Sequence, residues 1–220
     1  MDRDALARLR TEYADTGLDE STAGDDPYPL LESWLAQAVA SGMHEPNAMT
    51  LSTLGPSGAP ATRMVLLKGL DVRCLVFFTN YRSCKSRELV ANPSCALVLP
   101  WHPLHRQVRV EGVASKVSTE ESDAYFASRP RGSQLGAWAS PQSQVIAGRD
   151  ELDGMFEEVQ ARFPEGHPVP RPPHWGGWQV MPHLVELWQG RPSRLHDRIR
   201  FTRAVDKPHG GAWTRERLAP

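Results

Sequence analysis

Between residues 48 and 117 the chain changes character every few residues: MTLSTL, GPSGAP, TRMVLLKGL and LVFFTN follow one another, and CALVLP and QVRVEGVASKV come later. Runs rich in β-branched and aromatic residues, closed off by Gly, Pro or Asn, predict short strands, and their spacing predicts an antiparallel sheet or small barrel. Helices are inserted among them. LLESWLAQAVASG places Leu30, Leu31, Trp34, Leu35, Ala38 and Val39 at helical spacing, with Gly42 as its stop. A second helix is expected over about Ser83 to Asn92, ended by Asn92-Pro93. A third begins at Ser118-Thr119-Glu120-Glu121, which has the form of a capping box, and ends before Pro130. A fourth, about Asp150 to Phe163, carries Leu152, Met155, Phe156 and Val159 on one face. After VPRPPHWGG a last β section reads WQVMP, LVELWQG, RLHDRIRFTR and WTRERL. Inserted helices without strict βαβ alternation argue for α+β and against a Rossmann sheet. One domain is expected over residues 29–220, preceded over residues 1–28 by a polar arm, ending in TAGDDPYP, that is free to move.

Charge and cysteine content narrow the function. With 25 basic against 26 acidic residues the formal net charge is -1, so no long-range field gathers nucleic acid or an anionic membrane. An anion must be bound by locally arranged groups. Cys74, Cys84 and Cys95 form no CxxC pair and are odd in number, which suits free thiols in a reducing compartment. MDRDALARLRTEY lacks the apolar stretch of a secretion signal, and no apolar run approaches the roughly 18 residues of a membrane span. A cytoplasmic protein is expected.

The stretch Arg194-Leu195-His196-Asp197-Arg198 is the most suggestive. Read as a strand, it projects Arg194, His196 and Arg198 from one face, a row that needs either solvent or a shared anionic partner. Standing alone, it fits a solvated edge strand as well. His102 and His105 have a spacing seen in metal sites, but Pro103 lies between them and no third ligand cluster is evident, so no metal is expected.

The stretch does not stand alone. TRMVLLK, FFTN followed two residues later by SCK, WHPLHRQVRVEG, YFASRPRGSQLGAWAS, ELWQG with RLHDR, and the closing RLAP together resemble the pyridoxine 5'-phosphate oxidase family over residues 27–220. LRTEY is similar to that family's mobile amino-terminal arm. The resemblance implies a split β-barrel of mainly antiparallel strands with inserted and flanking helices, forming a homodimer that holds FMN at the subunit interface. It implies oxidation of pyridoxine 5'-phosphate and pyridoxamine 5'-phosphate to pyridoxal 5'-phosphate, with O2 consumed and H2O2 released. On matching positions it assigns FMN to Arg63, Met64, Val65, Leu66, Leu67, Lys68, Phe78, Thr79, Lys85, Gln107, Gln142, Ser143, Trp188 and Arg198. It assigns the substrate phosphate to Lys68, Tyr125, Arg129 and Ser133, the substrate ring and catalysis to Arg194 and His196, and closure over the substrate to Arg10 and Tyr13.

These assignments suit the side chains. Ser83 and Lys85 open a predicted helix whose free N–H groups favour a phosphate, and Tyr125 and Arg129, four apart, are expected on one helix face. Two features depart from the family pattern. Cys84 stands where the family commonly has Arg, leaving Arg82 as the candidate second cation; and Arg63 and Lys68 have opposite parity in a regular strand, which calls for a bulge or a second approach.

Overall fold

A computed structural model describes residues 13, 16–71, 74–204 and 211–220. The strands are β1 (Ala48–Leu54), β2 (Pro60–Leu66), β3 (Gly69–Leu70), β4 (Leu75–Asn80), β5 (Ser94–Trp101), β6 (Arg106–Lys116), β7 (Trp175–Gln189), β8 (Asp197–Thr202) and β9 (Thr214–Leu218). They hydrogen-bond in the order β2-β1-β5-β6-β7-β4-β3, with β8 on β7 and β9 on β8. Among the described residues the helices are α1 (Glu20–Ala23), α2 (Pro27–Ala40), α3 (Cys84–Ala91), α4 (Thr119–Ser128), α5 (Arg131–Ala139) and α6 (Arg149–Arg162).

Local signals explain most boundaries. Pro27 in the first turn of α2 and Asp26, whose carboxylate accepts from Tyr28 N at 2.9 Å, start that helix; Gly42, at φ 71°, follows its end. Ser118 Oγ accepts from Glu121 N at 3.0 Å, so the expected cap of α4 is present. Three expectations change. SRPRGSQLGAWAS contains a helix of its own, α5, started by Pro130. Arg129 is therefore not on the face of α4 with Tyr125: it caps that helix with extended ψ 148°, and Ser133 lies in the first turn of the next. WQVMP and LVELWQG are one strand, β7, which pairs with β4 over Trp175 to Val180 and with β8 over Leu184 to Gln189; Pro182 lies between the two pairings, where its missing N–H is tolerated.

The chain divides into two units, residues 1–49, 97–111 and 182–220, and residues 50–96 and 112–181. The first buries Leu31, Trp34, Met49, Leu97, Leu99, Val108, Val110, Leu187, Ile199 and Phe201, and Trp101 Nε1 donates to Pro46 O at 2.7 Å. Of the arm expected over residues 1–28, residues 1–12, 14 and 15 lie outside the described residues. Further along, Leu18 and Ala23 are buried, and Leu18 N donates to Asp197 Oδ2 at 2.9 Å. Gly17 is at φ 60°, a conformation that favours glycine, and a Cβ there would lie 2.6 Å from Arg191 Nη1, which would have to shift.

The second unit buries Leu51, Leu75, Phe77, Leu89, Phe126, Leu135, Trp175, Trp178 and Val180. Trp178 Nε1 donates to Ser86 Oγ at 3.1 Å, tying β7 to α3. At Gly112 a Cβ would lie 2.5 Å from Met181 O, so β6 and β7 approach there only because no side chain intervenes.

Candidate active site

In the second unit, β2, β4, α3, α4 and α5 surround a cleft of about 420 Å³. Of the assigned residues, Met64, Val65, Leu66, Lys68, Phe78, Thr79, Lys85, Tyr125, Arg129, Ser133 and Gln142 line it. The strand-parity difficulty disappears, because β2 ends at Leu66 and Lys68 N donates to Val76 O at 2.8 Å outside the regular strand. Arg63 lies on β2 but is taken by the scaffold: Nη2 meets Glu88 Oε2 at 2.7 Å, and Nη1 donates to Thr53 Oγ1. Leu67 is buried, and neither it nor Ser143, exposed at φ 69°, lines the cleft.

Among the described residues no carboxylate forms an ion pair with Lys85 or Arg129; Glu88, which pairs with Arg63 at 2.7 Å, acts on the Lys85 charge only from a distance. Lys85 is 9% exposed, and its ammonium reaches Thr79 Oγ1 at 3.2 Å, Ser83 Oγ at 3.4 Å and Gln142 Oε1 at 3.4 Å, all neutral oxygens. Burial, and then the Arg63 charge, push its pKa down. Arg129 lies over the Trp175 ring at 4.6 Å and the Phe126 ring at 5.6 Å; its Nη1 is buried with no hydrogen-bond partner, and burial lowers its pKa. Buried donors without acceptors are costly unless a ligand meets them, and two cations facing one cleft select an anion. Arg82 does not line the cleft. Cys84 Sγ accepts from Arg87 Nη2 at 3.2 Å.

The first unit holds the remaining assigned groups. Pro192–Arg194 is a 3-10 turn with Ser193 at φ 55° and Arg194 at φ 63°, and β8 starts only at Asp197. The expected strand row of Arg194, His196 and Arg198 is thus incorrect: only Arg198 is on a strand. His196 and Arg194 nevertheless converge on Tyr13, whose ring lies 5.5 Å from His196, 4.5 Å from His105 and 6.1 Å from Trp188, with the Arg194 guanidinium 5.4 Å away. Trp188 and His196 rings are 4.7 Å apart, and Arg191 N donates to His196 Nδ1 at 3.0 Å. Burial, and then the Arg194 charge, lower the His196 pKa. Arg198 turns toward Glu186, its Nε 2.8 Å from Oε1, and its Nη1 donates to Ala219 O at 3.0 Å. Gln107 is half-buried on β6, and Arg10 lies outside the described residues.

Sequence reasoning missed several contributors. Asn80, Ser140 and Trp175 also line the cleft. Glu186, 3% exposed, holds Arg198 and Arg109 together; an acid of the same strand parity as Trp188 within ELWQG was the available signal.

The profile described as Pyridoxamine 5'-phosphate oxidase matches residues 35–163, and the Pyridoxine 5'-phosphate oxidase C-terminal dimerisation region matches residues 175–220. Relatives called pyridoxine/pyridoxamine 5'-phosphate oxidase include one from Synechocystis sp., 54% identical over all of both chains, and one from Rubrobacter xylanophilus, 54% identical over 98% of this chain and 96% of that one. Among solved structures, PhzG from Burkholderia lata, in complex with tetrahydrophenazine-1-carboxylic acid, is 29% identical with a TM-score of 0.84 over 94% of this chain and 99% of that one. A pyridoxamine 5'-phosphate oxidase-related, FMN binding protein from Nostoc punctiforme is 20% identical, with a TM-score of 0.70 over 88% of this chain and 98% of that one, and shares the fold. The fold class is α+β, a split β-barrel of antiparallel strands with inserted and flanking helices. On profile coverage and full-length identity, the chain belongs to the pyridoxine/pyridoxamine 5'-phosphate oxidase family.

Proposed function

We propose that the protein is a homodimeric FMN enzyme that oxidises pyridoxine 5'-phosphate and pyridoxamine 5'-phosphate to pyridoxal 5'-phosphate, consuming O2 and releasing H2O2. The observation that carries this reading is a cleft lined by buried Lys85 and half-buried Arg129, neither of which forms an ion pair with a carboxylate among the described residues, with Arg129 Nη1 lacking any hydrogen-bond partner. The donor set fits two phosphates. Lys85, Thr79 and Gln142 form one group, suited to the FMN phosphate, at the start of α3 where free backbone N–H groups add to the field. Lys68, Tyr125, Arg129 and Ser133 form the second, a set of cations and hydroxyls suited to the substrate phosphate. When bound, FMN supplies the two-electron chemistry, accepting hydride from the substrate C4' carbon and returning to its oxidised form with O2.

The chain's own residues bind and orient. Arg194 and His196 hold the pyridine ring, Trp188 packs beside His196, and Glu186 fixes Arg198 for its FMN contact. Tyr13, whose ring lies 5.5 Å from His196, closes over the substrate. Gln107, Ser143, Leu67 and Arg63 complete the FMN set through the backbone or across the dimer.

The test is spectroscopic. Purified yellow protein mixed with pyridoxine 5'-phosphate without oxygen should bleach, then recover in air with pyridoxal 5'-phosphate and peroxide formed in equal amounts. An unchanged spectrum would leave a flavin-binding protein without this activity. Bleaching by tetrahydrophenazine-1-carboxylic acid but not by the phosphorylated vitamer would move the reading toward the ligand of the PhzG structure.

A further inference from the structure

Arg129 is held in the cleft by an unusual means. It caps α4 with extended ψ, so no helix fixes its direction, and among the described residues no carboxylate forms an ion pair with it. What lies under it is the Trp175 ring at 4.6 Å, with Phe126 farther off at 5.6 Å. Trp175 is in turn held on every side. Its ring is nearly parallel to Tyr125 (5°, 6.2 Å) and Phe78 (13°, 5.6 Å), and Phe78 and Tyr125 stack at 3.9 Å. Its N donates to Pro172 O at 3.0 Å, and its O accepts from Arg171 Nη1 at 2.6 Å, while Arg171 Nε pairs with Asp123 of α4 at 2.6 Å.

We propose that Trp175 is a positioning residue that aims the Arg129 guanidinium at the ligand phosphate through its π face. The proposal rests on the phosphate reading of the Lys68, Tyr125, Arg129 and Ser133 group given above. A carboxylate in the same place would fix Arg129 equally well but would satisfy its donors and cancel its charge. An aromatic face attracts the cation through its quadrupole and accepts no conventional hydrogen bond, so the guanidinium is oriented while its outer N–H groups stay available for the anion. No protein group satisfies the buried Nη1, so the aromatic contacts leave the guanidinium's hydrogen bonding incomplete.

The test uses the holoenzyme with Trp175→Leu, Trp175→Phe, Arg129→Ala and the Trp175→Leu/Arg129→Ala double variant. Two quantities are read, KM against kcat for pyridoxine 5'-phosphate, and inhibition by inorganic phosphate. Trp175→Leu should raise KM and the phosphate Ki together by about tenfold, more than it lowers kcat, and Trp175→Phe should raise both by about threefold. On the Arg129→Ala background, Trp175→Leu should add little, because the group it aims is gone. Loss of kcat at unchanged KM and Ki, or a full tenfold effect on the Arg129→Ala background, would overturn the proposal. If Trp175→Leu does not fold, Trp175→Phe decides alone, and unchanged KM and Ki there would overturn it. Unchanged KM and Ki in Arg129→Ala itself would defeat the phosphate reading, and this proposal with it.

Discussion

The arginines of the first unit and the cations of the cleft in the second solve opposite problems. Arg109 and Arg198 both bind Glu186, at 2.9 and 2.8 Å, and Arg191 and Arg217 both bind Asp197, at 3.1 and 2.7 Å. Burial alone would raise the Glu186 pKa, yet hydrogen bonds from Arg198 and Arg109 outweigh it and hold the carboxyl below its ordinary range. The hydrogen-bond partners of Lys85 are neutral oxygens, and Arg129 rests on aromatic rings with no ion pair among the described residues. A cation that finds its counter-ion within the fold is fixed in place. One whose charge is left uncompensated in a cleft is reserved for a ligand.

Substitutions can break that contrast. The largest expected effect is on stability: Glu186→Ala leaves Arg198 without its carboxylate and Arg109 with Glu111 alone, and should cost about 3 kcal/mol in urea unfolding of the flavin-free protein. A loss below about 1 kcal/mol would show that solvent compensates the arginines and that the pairing is not structural. Lys85→Met should do the reverse, leaving unfolding of the flavin-free protein unchanged or improved while weakening FMN binding about tenfold to hundredfold in a fluorescence titration. Equal FMN affinity in wild type and variant would remove Lys85 from the ligand set. Cys84→Arg, which supplies the cation the family pattern has there, should tighten FMN by about fivefold, and less at high salt. The smallest effect is titration. Because the His196 pKa is depressed in the folded chain, the unfolded chain binds its proton more readily, and stability should decline as pH falls below about 6.5. The acid limb of kcat/KM should likewise lie below that value, and His196→Gln should remove the stability decline assigned to this group.

Parts of this were legible in the sequence because the determinants are local. The capping oxygen of Ser118, the Pro27 start and the Gly42 stop each act within a turn, and the strands around Phe78 and Val108 follow from composition. Helix α5 was hidden because Gly132 and Gly136 depress its propensity, and its packing of Leu135 and Ala137 against Phe126 and Trp175 is tertiary. The row at Arg194 failed because Ser193 and Arg194 adopt positive φ, which no residue type there announces. Arg63 was assigned to the ligand by resemblance, yet Glu88, 25 residues later, has taken its guanidinium, a choice that depends on how β2 meets α3. The cleft itself was legible only as a set of residue types: nothing in Lys85 or Arg129 alone states that no carboxylate will pair with it.

The contact from Arg191 N to His196 Nδ1 has a chemical corollary. A main-chain amide can only give its hydrogen, so Nδ1 must offer a lone pair, and the neutral ring is confined to the tautomer with hydrogen on Nε2. The outward nitrogen then serves as a donor, able to steady an oxygen as electron density gathers on it. To collect a proton instead, the imidazole would have to exchange that tautomer for the other and surrender its hold on the turn.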